Sequence, residues 1–128
     1  MKTVYIVDDS QAVRERLIGM VSELEGTAIA GAAGEPWEAI KAIRRLRPDS
    51  VILDIRMPGM SGIQVLKKIK QDLRAPVVIM LTNYPFGQYR RECAEAGADY
   101  FLNKSTEFEK INEILAGMVH ADLRAADQ

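Results

Sequence analysis

Ser50-Val51-Ile52-Leu53-Asp54-Ile55-Arg56-Met57-Pro58-Gly59-Met60-Ser61-Gly62 is the stretch that decides the fold. Ser50 to Leu53 shows no polar–apolar alternation. That reads as a strand buried on both faces, as in a parallel sheet covered by helices on each side. The strand stops at a carboxylate, Asp54, which is costly to bury without a purpose. Arg56 to Gly62 is a loop by its Pro and Gly content. Ser61 is placed to cap a helix carrying Ile63, Leu66, Ile69 and Leu73 at helical spacing.

The same succession of strand, polar turn and helix recurs on both sides. Toward the N-terminus, Thr3–Val7 is a strand, Asp8 and Asp9 follow, and Ser10 caps a helix bearing Val13, Leu17, Val21 and Leu24. Gly26 ends it, and Thr27–Ala33 is a strand of small residues. Pro36 suits the first turn of a second helix with Trp37, Ile40, Ile43 and Leu46 on its apolar stripe, and Arg47-Pro48 stops it. Trp37 is expected to pack in the core or at its rim.

Toward the C-terminus, Pro76–Leu81 is an apolar strand ending at Thr82, and Asn83–Gly87 is loop. A helix over 88–96 has mainly Cys and Ala to bury, which predicts one of the less stable parts of the domain. Tyr100–Leu102 is a fifth strand, ending at Asn103 and Lys104. Thr106 and Glu109 have capping-box spacing, ahead of a last helix that buries Phe108, Ile111, Leu115 and Met118.

Five strands alternating with five helices predict an α/β fold of the doubly wound, flavodoxin-like (βα)5 kind. Three layers surround a five-stranded parallel sheet with right-handed crossovers. The reading gives one domain over residues 1–120 and a polar tail over 121–128. A chain of 128 residues can bury a core without disulfides or structural metal. Cys93 has no second cysteine to pair with, and Cys93 and His120, each single of its kind, exclude zinc sites of Cys/His spacing. Basic and acidic residues nearly balance, 17 against 18, with no long Lys/Arg run, so no direct nucleic-acid contact is expected. The apolar run at the N-terminus is too short for a signal peptide or a membrane span. A cytoplasmic protein with no membrane contact is the expectation.

In an open parallel sheet, ligands bind at the carboxyl ends of the strands. Strand one ends at Asp8 and Asp9, strand three at Asp54, strand four at Thr82 and strand five at Lys104. Order 2-1-3-4-5 makes these four strands neighbours. Three crowded carboxylates repel one another and raise each other's pKa, and a divalent cation relieves the repulsion. An oxygen-only donor set with room for water suits magnesium. A carboxylate there can act as a nucleophile and form an acyl phosphate, with Lys104 and Thr82 contacting the phosphoryl oxygens.

The motifs Ile6-Val7-Asp8-Asp9-Ser10, Leu53 to Gly62, Met80-Leu81-Thr82 and Ala96 to Lys104 resemble the receiver domain of bacterial two-component response regulators, of the chemotaxis-regulator kind. The resemblance covers nearly the whole chain. It implies that Asp54 is the phosphoacceptor, that Asp9 binds Mg2+ directly and Asp8 through water, and that the Arg56 backbone carbonyl is a further ligand. It also implies that Thr82 and Phe101 are switch residues, with Tyr100 pointing to the other side of the strand.

The implied partners are a sensor histidine kinase or histidine phosphotransfer protein and a downstream protein target, with a homodimer also open. The chain would be a stand-alone switch, catalysing only its own phosphorylation and dephosphorylation. Three features depart from the family. Asn83 stands where a small residue is usual, Ser105 replaces a proline and predicts a trans peptide, and Arg56 and Tyr84 are both large. A flavin or nucleotide binder lacks support, because acids rather than a Gly-rich loop follow strand one. A haloacid-dehalogenase-like hydrolase would carry an acid where Arg56 stands.

Overall fold

In the computed structural model, which describes residues 1–126, strands and helices alternate strictly. They are β1 (Lys2–Val7), α1 (Gln11–Ser22), β2 (Thr27–Ala33), α2 (Pro36–Leu46), β3 (Ser50–Leu53), α3 (Gly62–Lys70), β4 (Val77–Thr82), α4 (Gly87–Glu95), β5 (Tyr100–Asn103) and α5 (Lys110–Ala126). The sheet is parallel throughout in the order β2-β1-β3-β4-β5, as expected.

Alternation along the strands builds two apolar layers. Tyr5 and Val7, Val51 and Leu53, and Val78 and Met80 face a core closed by α2, α3 and Cys93 of α4. Their neighbours Val4, Ile6, Ile52, Ile79 and Leu81 face Leu17 and Val21 of α1 and Ile111 and Leu115 of α5. Register pairs Val7 with Leu53, Leu53 with Met80, and Thr82 with Asn103. The polar residues after those positions therefore finish at one edge. The Asp54 N–H donates to the Val7 carbonyl (3.0 Å), which pins one end to the other.

Strand ends and α4 differ from the sequence reading by a single residue, and three helix ends differ by more. Helix α1 ends at Ser22, so Leu24 packs from the turn rather than the helix, and Gly26 turns the chain into β2 at φ 86°. Helix α3 stops at Lys70, which puts Leu73 outside it and 94% exposed.

Helix α5 begins at Lys110, not at Thr106, and the capping box expected of Thr106 and Glu109 does not form. Glu107 supersedes it. Its side chain accepts from the Asn103 N–H (3.0 Å) and its own N–H donates to the Asn103 carbonyl (2.8 Å), folding residues 104–109 into turns. Phe108 still reaches the core from these turns. Trp37 lies at the rim, 50% exposed, with the Lys68 ammonium 5.1 Å from its ring centroid.

Candidate functional site

The carboxyl edge of the sheet brings Asp8, Asp9, Asp54, Thr82 and Lys104 together, as the strand-end reading expected. Asp8, Asp9 and Asp54 each offer a carboxylate oxygen within 4.8 Å of the others. Asp8 and Asp54 are buried and Asp9 is exposed. Lys104 reaches between them, its ammonium 2.7 Å from Asp8 Oδ2 and 3.5 Å from Asp54 Oδ2. The other Asp8 oxygen accepts from the Ser10 N–H (2.9 Å), and Asp54 Oδ1 accepts from the Ile55 N–H (2.8 Å).

The Asp54 carboxyl is pushed up from its ordinary value to about 6. Burial is the main cause and Lys104 opposes it, while Asp8 and Asp9 raise it further. Desolvation therefore leads, where crowding of the carboxylates was the expected cause. The donors are oxygens only, with one exposed and two buried carboxylates, and this set fits Mg2+ rather than a zinc or copper ion. Arg56 lines the same cleft, and among the described residues no backbone donor engages its carbonyl.

Two local features hold this edge in shape. Gly62 lies so close to Asp54 that a Cβ would overlap the Asp54 carbonyl, and its N–H donates to the Ile55 carbonyl (2.6 Å). Only glycine lets the β3–α3 loop fold back this tightly. On the other side, Arg14 of α1 donates from Nη1 to the Asp8 carbonyl (2.7 Å) and lies against Gly34. Sequence reasoning missed Arg14. The available signal was its place one turn beyond the Ser10 cap, where a long side chain can reach back over the β1 end.

Thr82 is fully buried, and its hydroxyl accepts from the Tyr84 N–H (2.9 Å). The Arg56 guanidinium stacks on the Tyr84 ring (4.0 Å), with the Tyr89 hydroxyl 3.4 Å from Nη2. Asn83 is exposed and lines the same cleft. Phe101 packs partly buried toward the α4 side, under the Arg90 guanidinium (4.5 Å), whereas Tyr100 is exposed and lines a groove with α5. The two aromatics do point to opposite faces, as strand alternation requires. No cis peptide occurs among the described residues, so Ser105 follows a trans bond, and its N–H donates to the Asn103 side chain (2.9 Å).

A buried aspartate at the end of a parallel strand, flanked by two more acids and a lysine, defines a phosphoacceptor-type signalling site. The sequence matches the family described as "Response regulator receiver domain" over residues 4–116, and the chain belongs to that family of two-component systems. It is 43% identical over 76 residues to a protein-glutamate methylesterase/protein-glutamine glutaminase of Anaeromyxobacter dehalogenans, a match covering 59% of this chain and 21% of that protein. To the response regulator GacA of Pseudomonas aeruginosa it is 29% identical, over 100% of this chain and 62% of GacA. The chain thus spans from about a fifth to three fifths of the length of these curated relatives.

Among solved structures, a CheX-CheY-BeF3-Mg+2 complex from Borrelia burgdorferi superposes with a TM-score of 0.78 at 28% identity, covering 89% of each chain. Among the described residues no helix is long and apolar enough to cross a membrane.

Proposed function

We propose that Asp54 accepts a phosphoryl group from the phosphohistidine of a sensor histidine kinase or histidine phosphotransfer protein. The observation that carries this is the convergence of Asp8, Asp9 and Lys104 on a buried Asp54. An Asp54 oxygen attacks phosphorus, the bond to the donor imidazole breaks, and an acyl phosphate forms. Asp9, Asp54 and the Arg56 carbonyl would hold Mg2+, with Asp8 through water, and the ion would supply charge neutralisation. Lys104 offsets one phosphoryl oxygen, and the Thr82 hydroxyl donates to another once it leaves the Tyr84 N–H. Phe101 then turns inward and reshapes the α4–β5–α5 face for a downstream protein target. The chain in this reading is a cytoplasmic phospho-accepting switch.

The BeF3 and Mg+2 named with the Borrelia burgdorferi relative support the reading. The test is intact mass after incubation with a small phosphodonor, with and without Mg2+, for the wild type and Asp54→Asn. A Mg2+-dependent gain of one phosphoryl group, absent from the variant, is the expected result. No gain under any condition overturns the proposal in favour of a fixed interaction module.

In the same reading the stacked Arg56 and Tyr84, which line the cleft, slow the approach of hydrolytic water. Replacing both by alanine should shorten the acyl-phosphate lifetime, and an unchanged lifetime removes that role.

A further inference from the structure

Charge is unevenly divided along the chain. Residues 36–74 carry nine Lys and Arg against four Asp and Glu, whereas the remainder carries eight against fourteen. One of the four acids is the buried Asp54, and Asp72 is spent on Arg44 (2.9 Å). Four of those nine basic residues lie on the outer faces of the packed helices α2 and α3. Arg56 instead lines the Asp54 cleft, as Lys67 also does at the edge of α3, and Lys70 is paired with Asp99. Trp37, Lys41 and Arg44 lie along α2, and Gln64, Lys67, Lys68 and Gln71 lie along α3 and its C-cap. Arg44 crosses to the Lys68 carbonyl (3.4 Å) and Lys68 crosses to the Trp37 ring, so the two rows form one surface. Lys41, Lys67 and Lys68 have no ion-pair partner among the described residues.

Cations in the last turn of a helix offset its dipole, which accounts for part of this charge. It does not account for Lys41 in the middle of α2 or for a tryptophan left half-exposed beside the Lys68 ammonium. We propose that the α2–α3 seam is a docking surface for an acidic polypeptide segment of a partner protein, with Trp37 as its apolar anchor. Tryptophan is among the residues most enriched at the energetic centres of protein interfaces, which are surrounded by a polar rim. Carboxylates would pair with Lys41, Lys67 and Lys68, and an apolar side chain among them would cover Trp37. A nucleic acid fits less well. The α2 row is about 10 Å long, and an extended polyanion would run past it onto the acidic remainder of the chain.

Trp37 is the single tryptophan, so its fluorescence reports on the seam directly. The experiment titrates the full chain with a short glutamate-rich peptide carrying one central phenylalanine, at low and high salt. Trp37 emission and the anisotropy of the labelled peptide are both followed. Saturable binding that weakens with salt, and about tenfold weaker binding for Lys68→Glu, are expected. Arg91→Glu, an equal charge change on α4, should leave the affinity unchanged. Equal losses from both variants, no response of Trp37, or tighter binding of an oligonucleotide or of anionic lipid vesicles at matched charge overturns the proposal.

Discussion

Helices α3 and α4 are each nine residues long and line the same cleft, yet they are held in different ways. Helix α3 opens on a complete capping box between Ser61 and Gln64 and buries Ile63, Val65, Leu66 and Ile69. Helix α4 opens on Phe86, which makes no side-chain cap and is itself 58% exposed, and it fully buries only Cys93. Each large apolar side chain buried contributes about 1.5–3 kcal/mol, so the difference amounts to several kcal/mol of local stability. The lesson is a division of labour across the cleft. The β3–α3 side fixes Asp54 in place, and the β4–α4 side is anchored by fewer buried side chains.

The most direct way to break this comparison is to truncate each core. Leu66→Ala in α3 should cost about 2–5 kcal/mol in urea unfolding. Cys93→Ala in α4 should cost about 1 kcal/mol. Equal losses would mean that α4 is as firmly anchored as α3.

Asp54 tests the fixed side of the cleft. A carboxyl raised on folding stabilises the fold while protonated. That contribution is complete below the unfolded value of about 3.9 and is lost as pH rises through about 6. In metal-free protein at about pH 8, Asp54→Asn should therefore gain about 2–3 kcal/mol, and the gain should vanish toward about pH 4. Destabilisation at high pH would show instead that the attraction of Lys104 outweighs burial.

Caps sharpen the comparison further. Ser61→Ala should cost about 1 kcal/mol, whereas Phe86→Asp, which adds the cap α4 lacks, should stabilise by about 0.5–1 kcal/mol in the same assay. The smallest effect is one of rate without any mutation. Backbone amides of α4 should exchange with deuterium before those of α3, and the reverse order would end the argument.

Much of this was legible in the sequence, including how little α4 has to bury, because burial follows from residue type and spacing. Asp8, Asp9, Asp54, Thr82 and Lys104 were all legible as strand-end residues, since a parallel sheet aligns its strand ends. Helix boundaries were less legible. Thr106 and Glu109 have the right spacing for a box, but Glu107 competes for the same turn through Asn103, and local pattern cannot rank two such hydrogen-bond sets.

The sequence by itself determined the order of elements, the two apolar layers and which polar residues meet at the sheet edge. Periodicity and strand ends are properties of neighbours along the chain. Only the tertiary structure decided that Lys104 lies closer to Asp8 than to Asp54, that Arg14 braces the Asp8 carbonyl, and that Arg56 stacks on Tyr84. It also decided that Lys68 of α3 reaches across to the Trp37 ring on α2. These are contacts between long side chains far apart in sequence, and their geometry is set by how the helices pack.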